Sequence, residues 1–315
     1  MKKVLFSLLM LLFVGVAHAQ ESQTEYNSLR LPVSAHAAAL GGDNITIVED
    51  DPALMFQNPA LLSSVSDKSL GLNFMTYMAG SRTASASFSR VAGDKASWGL
   101  TGQYFDYGKM KEVDADNRQT GEFSAKDIAL TGLFAYSLAD HLVGGISARF
   151  ITSYLADYNS IAMGVDLGLN YYNPNNELSL SVVARNLGGQ LKAYDDQYEP
   201  MPLDIQLGFS KRLVGSPLRL SAALVDMNHL NYKFLRHLVV GADLILSQTI
   251  WVGAGYNFRR AHEMEINSGD DESSSHGAGF SFGAGLQLDR FKLNLAYGKY
   301  HVSSSSIIIN LALSI

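Results

Sequence analysis

Cysteine is absent from the 315 residues. That excludes a disulfide-stapled scaffold, a thiolate metal site and a lipidated N-terminal cysteine. Cationic charge is scarce: 24 Lys and Arg stand against 30 Asp and Glu, a net charge of −6. No basic patch of the kind that grips a nucleic-acid backbone is present, so no nucleic-acid partner is expected. Long apolar runs are missing once the first 16 residues are passed. No later segment reaches the roughly 20 residues that a spanning helix requires, and mean hydropathy is only +0.04. Histidines are few and badly spaced for chemistry. One of the eight is His18, and none of the others stands at H-x-x-x-H spacing, so no metal, cofactor or catalytic role is assigned to them.

What is present begins with a secretory signal over residues 1–19. Lys2 and Lys3 give the charged start and Val4–Val16 the apolar stretch. Ala17-His18-Ala19 is the small-x-small cleavage site before Gln20. From Ser69 to Ile315 the chain then alternates. Ile161, Met163, Val165, Leu167, Leu169 and Tyr171 are interleaved with Ala162, Gly164, Asp166, Gly168 and Asn170. Period two puts the first set on one face of a strand and the second on the other. The pattern recurs at 203–209, where Asp204, Gln206 and Gly208 fill the polar face, and at 280–288, 291–297 and 307–315. One apolar face and one small or polar face, repeated to the end, reads as lipid outside and a polar lumen inside. Twenty-eight glycines suit that lumen better than they suit helices.

This pattern predicts an all-β fold, an outer-membrane β-barrel of about fourteen antiparallel strands over residues 69–315. The connections support it. Every second one is short, as at 91–95, 137–140, 173–176, 213–216, 247–249 and 289–290. Most of the others are long and polar: 106–121, 187–202, 227–235 and 259–276. Short periplasmic turns alternating with long outer loops are the habit of such barrels. Both ends of the barrel are then expected at the periplasm.

Residues 20–68 do not alternate. They hold a small-residue stretch at 35–40, Gly41-Gly42, an acidic cluster (Asp43, Glu49, Asp50, Asp51) and Asn58-Pro59-Ala60. A segment this long before the first strand is expected to plug the lumen or cap its periplasmic mouth. The acidic cluster lacks EF-hand spacing and is expected to pair with lumen cations such as Arg149, of inward parity, or Arg185.

At these residues the chain resembles a known family. Leu31-Pro32-Val33-Ser34-Ala35, Ala39-Leu40-Gly41-Gly42, Glu49-Asp50-Asp51 and Gln57-Asn58-Pro59-Ala60-Leu61-Leu62 are similar to the N-terminal segment of PorQ proteins. So are Tyr158-Asn159-Ser160 with Asp166-Leu167-Gly168, the run from Arg185 to Lys192, and the run from Pro202 to Leu213. PorQ proteins are outer-membrane barrels of the type IX secretion system of Bacteroidetes, related to PorV and more distantly to FadL. The chain departs from many barrels in ending Leu313-Ser314-Ile315 rather than on Phe. The resemblance implies a non-enzymatic subunit of a cell-surface attachment complex with PorU, PorV and a PorZ-like protein. Such a subunit holds the PorZ-like partner at the membrane while cargo is joined to anionic lipopolysaccharide. It also marks Asn58, Pro59 and Ala60 as a hatch motif.

Other features have blander readings. Gly279-Phe280-Ser281-Phe282-Gly283 matches G-x-S-x-G, but no helix follows and both Phe share the lipid-facing parity. Tyr104, Tyr107, Tyr154, Tyr158, Tyr171, Tyr172, Tyr297 and Tyr300 sit near strand ends and are expected in the two aromatic girdles. The loop 187–202 carries Tyr194, Tyr198 and Met201 among acids. It reads as an anchor for a protein partner or as a lid on the outer mouth. A FadL-like transporter of hydrophobic small molecules is the alternative function, although the small polar lumen set disfavours it.

Overall fold

In the computed structural model, residues 24–116, 118–268, 272–274 and 277–315 are described. The expected signal at 1–19 lies outside them. Fourteen antiparallel strands close into one barrel. They are β1 (Ser69–Thr76), β2 (Arg82–Ala92), β3 (Ala96–Val113), β4 (Gln119–Ala139), β5 (Leu142–Leu155), β6 (Tyr158–Asn173) and β7 (Leu178–Lys192), followed by β8 (Asp204–Arg212), β9 (Leu218–Leu224), β10 (Leu238–Ile245) and β11 (Ile250–Asn257). A small separate hairpin, β12 (Ile266–Ser268) with β13 (Glu272–Ser274), precedes β14 (Phe280–Gln287), β15 (Phe291–His301) and β16 (Ser304–Ser314). Within the barrel each strand pairs with the barrel strands before and after it in the chain, β11 with β14 across the small hairpin, and β1 pairs with β16 from Ser69↔Ser314 to Met75↔Ile308. Closure leaves no open edge, the condition for a sheet to stand in hydrocarbon.

The two faces separate by parity. Leu130, Phe134, Phe150, Met163, Leu169 and Phe282 are exposed, whereas Thr131, Arg149, Ala162, Asp166, Asn170 and Ser281 are buried. An apolar outside on a closed barrel is a lipid-facing belt. The molecule is an outer-membrane barrel, and among the described residues no helix is long and apolar enough to cross a membrane.

The structure corrects two of the expected loops. Most of 106–121 is strand, because β3 and β4 stay paired to Val113↔Gln119, with a register shift between Asp106 and Lys109. Likewise β7 runs on to Lys192, with shifts against β6 near Ile161 and Val165. Beyond the lipid neither face must be apolar, so alternation fades while ladder hydrogen bonds continue. The rim is uneven as a result: β3 and β4 span 18 and 21 residues, β9 and β10 only 7 and 8.

Residues 24–66 lie inside the barrel. A short helix, Ala35–Ala39, starts at Ser34, whose Oγ accepts from Ala37 N. Two 3₁₀ turns, Pro52–Phe56 and Pro59–Ser64, each open with Pro and are capped by Asp51 and Asn58 side chains. Leu40, Ile45, Ile47, Leu54, Leu61 and Leu62 are almost fully buried. The segment spans the lumen end to end. Tyr26 Oη meets Ser160 Oγ at 2.9 Å near the outer end of β6. Asn294, near the periplasmic end of β15, donates to Asp51 at 2.9 Å. The wall meets the segment with glycine where the two approach closest. A Cβ at Gly145 would lie 2.3 Å from Ala60 N, and one at Gly255 2.2 Å from the Leu40 carbonyl carbon.

Candidate functional site

The expected hatch motif sits deep in the lumen. Asn58 is fully buried. Its Oδ1 accepts from Ala60 N at 2.9 Å, and its Nδ2 donates to Ile45 O at 3.2 Å and Ser181 Oγ at 3.4 Å. Asn58 thus caps its own turn, braces the preceding strand-like run and touches the wall. Pro59 supplies the fixed φ that starts the turn.

The acidic cluster does pair with lumen groups, but not with the arginines expected. Glu49 Oε1 accepts from Arg219 Nη2 at 2.7 Å, and its Oε2 lies 3.0 Å from His36 Nδ1. Asp50 pairs with Lys292, Asp51 accepts from Asn294, and Asp43 accepts from Asn257 at 3.0 Å. Arg149 is taken by Asp166 at 2.9 Å and Asn186 at 2.8 Å. Arg185 donates to Phe56 O at 3.5 Å. The reason is position: the segment crosses the lumen against β9–β11 and β14–β16 before it turns toward β4–β6.

A charged cluster where the N-terminal segment meets the wall, which pattern reading did not find, joins Glu49 and His36 to Arg219 on β9 and Asp243 on β10. Arg219 Nη2 donates to Asp243 at 3.1 Å, and His36 Nε2 lies 3.4 Å from Asp243. The imidazole stacks on Trp251 with centroids 3.5 Å apart. Burial pulls the His36 pKa down, but Glu49 and Asp243 more than offset it, so the pKa is raised despite nearby Arg219. Burial would raise Glu49, yet His36 and Arg219 hold its carboxyl well below the usual carboxylate range. The inward parity of Arg219 and Asp243, flanked by apolar outward residues, was the available signal.

The outer mouth holds two cavities. The larger, of about 680 Å³, lies between residues 27–43 and the outer ends of β9–β11 and β15. Arg30, Arg236, Arg259 and Arg260 line it, with Tyr232 and Tyr300. The smaller, of about 240 Å³, lies between residues 27–31 and the outer ends of β1–β3, against Leu31, Tyr77, Met78 and Phe105.

The loop residues expected to act together are separated. Tyr198 is 65% exposed and Met201 7%. Met201 packs inward with Tyr26, Leu29 and Ile151, while Tyr194 is half-buried. Among the tyrosines, Tyr104, Tyr154, Tyr158 and Tyr297 are exposed. Tyr171 and Tyr172 are half-buried. Tyr107 and Tyr300 leave the expected girdle. Tyr107 donates to Asp127 at 2.6 Å, and Tyr300 lies under the Arg260 guanidinium, 4.4 Å from it. Parity near the rim misleads because bulges re-aim side chains there. In the G-x-S-x-G match Ser281 bonds the N-terminal segment, donating to Ala39 O at 3.2 Å and accepting from Gly41 N at 3.1 Å. Among the described residues no group of His, Asp and Glu is arranged to hold a metal ion.

No family model matches the chain, and no curated protein matches its sequence. Solved structures do match. The Pseudomonas putida toluene transporter TodX is similar with a TM-score of 0.54 and 15% identity, over 90% of this chain and 97% of that one. A FadL homologue from Pseudomonas aeruginosa gives 0.52 and 10%, over 89% and 97%. The monoaromatic hydrocarbon channel CymD gives 0.54 and 13%, over 90% and 97%. At these identities the likeness is one of fold: the FadL-type outer-membrane barrel.

Proposed function

We propose that this chain is a plugged outer-membrane barrel that admits small hydrophobic molecules at the cell surface, with residues 20–68 as the hatch that must yield for them to pass. One observation carries the reading: the 240 Å³ cavity beside the hatch, with Leu31, Tyr77, Met78 and Phe105 in its lining. An apolar cavity of about 150 Å³ is enough for a benzene ring. The fold shared with TodX and CymD supports it. The small polar lumen set argues against an open greasy bore, so passage requires the hatch to move. The test is accumulation of labelled toluene in a Gram-negative host lacking its own channels of this type. Expression of the barrel should raise accumulation over the empty-vector strain, and Phe105→Arg should abolish the gain. Accumulation equal to the vector strain would remove this reading.

A second reading is favoured by a different observation: the plug is pinned to the wall by the ion pairs Glu49–Arg219, mostly buried, and Asp50–Lys292, partly buried, as a static scaffold would be. In that case the barrel is the attachment-complex subunit that the PorQ resemblance implies, holding a PorZ-like surface protein beside PorU and PorV in lipopolysaccharide-bearing membrane. Tyr198, exposed at the outer rim, is the residue of the 187–202 loop best placed to meet such a partner. A pull-down through a tag at the β3–β4 tip should then recover a surface protein that Tyr194→Ala/Tyr198→Ala releases. Recovery unchanged by the double variant would place that surface elsewhere.

A further inference from the structure

The larger outer cavity has a composition that neither reading uses. Four arginines line it, against three carboxylates: Asp43, Asp226 and Glu263. The pairing within it is unequal. Asp226 is shared by Arg259 and by Arg30, whose Nη1 is 3.3 Å away, and Glu263 lies 3.4 Å from Arg259 Nε. Arg260 is 5% exposed, and its guanidinium donates to backbone carbonyls: Ala278 at 2.7 Å, Gly279 at 3.1 Å, Gly41 at 3.3 Å and Phe280 at 3.4 Å. Arg236 has His262 Nε2 against one nitrogen and the Tyr232 ring 5.7 Å below it. Neither Arg236 nor Arg260 has a carboxylate within ion-pair distance among the described residues. The buried Arg30 Nε has no hydrogen-bond partner either. Arg260 is a buried cation without a counter-charge among the described residues, which is costly, while Arg236 and Arg30 are half-buried and open to the cavity. Guanidinium forks opening on one cavity beside tyrosine faces are suited to a phosphate or carboxylate on a ring or chain.

We propose that this vestibule is a binding site for a phosphate-type anion, with Arg236 and Arg30 as its adjustable ligands and Arg260 as the fixed positive floor. The anion has two sources. One is a soluble phosphate entering from outside. The other is the headgroup phosphate of an outer-leaflet lipid. The rim here is low: β9 and β10, with 7 and 8 residues, fall short of the ~9–11 of a full membrane strand. The loop joining them turns His229, Tyr232 and Arg236 to the cavity. Its Leu230, Phe234 and Leu235 are 76%, 66% and 57% exposed, which continues the lipid belt to the edge of the cavity.

The test uses the mature full-length barrel in two arms. In detergent, inorganic phosphate is titrated calorimetrically. In nanodiscs, barrels reconstituted with lipid A or with phosphatidylcholine alone are released for native mass spectrometry, and retained lipid is counted. Saturable phosphate binding weakened about tenfold or more by Arg236→Gln identifies the soluble source. Retention of lipid A, but not phosphatidylcholine, that Arg236→Gln removes identifies the lipid source. Either result supports the site. Absence of both, or binding and retention that survive Arg236→Gln and Arg30→Gln, overturns it. Each variant is first checked for heat-modifiable mobility. Arg30→Gln, on the plug, serves if the loop variant fails to fold.

Discussion

At the scale of single residues, the plug is held by few contacts of high consequence. Arg219 faces Glu49 and Asp243 at once, with all three side chains mostly buried. Removing one partner of a buried ion pair leaves the others uncompensated, at a cost of about 3–5 kcal/mol. Arg219→Met should therefore loosen the plug by that order, read as a lower temperature for its protection from proteolysis. The same cluster makes the seat respond to pH. His36 has a raised pKa, so its contribution is complete below the ordinary imidazole value, about 6.5, and is lost as pH rises through the folded value. Glu49 has a depressed pKa, so its contribution is present above its ordinary value, about 4.3, and fades only as pH falls toward the folded one. The groups facing His36 are Glu49, Asp243 and Arg219, with Asp51 acting at longer range. The plug should thus be tightest on the mildly acidic side and loosen as pH rises above the ordinary imidazole value and through the raised folded one. The midpoint of heat-induced unfolding on gels should drop as pH rises, and His36→Gln should flatten the drop. A wild-type midpoint that rises with pH would refute the assignment of His36 as the charged partner.

At the scale of elements, plug and wall fit because glycine removes a side chain where turn and strand meet. Gly145 on β5 faces the Pro59–Ala60 backbone, so Gly145→Val drives two methyl groups into a backbone with no room to shift. Overpacking of this kind costs about 1–3 kcal/mol or more. The strand ladder is untouched, so the barrel should stay heat-modifiable while the plug is displaced and single-channel conductance rises. Gly132→Val, on the lipid face of β4, is the matched control and should remain closed. A closed Gly145→Val channel would mean that this contact does not seat the plug. The strands were legible in the sequence because lipid imposes a strict period of two: the 161–171 alternation is the same in sequence and structure. The plug was legible only as an exception to that period. Its partners were not, since Glu49 could have met Arg149, Arg185 or Arg219 equally well on composition. Which inward cation it reaches depends on the path of the segment through the lumen, and no local pattern encodes that path. Sequence leaves the 187–202 loop open between a partner anchor and a lid for a related reason: composition does not fix its path, and it is the Gly189↔Pro200 bridge that folds its end, with Met201, back over the plug.

At the scale of the whole molecule, the plug enters the barrel from the outer mouth rather than capping the periplasmic one. Thr24 donates to Pro200 O at 2.5 Å in the outer loop that follows β7. Tyr26 meets Ser160 in the same region. Forty residues later, Ser66 bonds Asp50 at the opposite end, just before β1. A wall that closes β1 on β16 around this segment encloses a chain running the full length of the lumen. The orientation follows from the connections. The tall β3–β4 hairpin and the arginine-lined vestibule share one end, and the short turns share the other. An absence makes the test clean, since the protein has no cysteine to remove. Single cysteines at Asn27 and Lys111, both exposed, should react with an impermeant maleimide on intact cells. Cysteines at Asn175, in the β6–β7 turn, and at Ser66 should react only after the outer membrane is permeabilised. Labelling of Asn175 but not Lys111 in intact cells would invert the barrel. Labelling of Lys111 without Asn27 would leave the barrel upright and show that residues 24–30 do not reach the surface, which would also separate Arg30 from the anion site assigned to the vestibule.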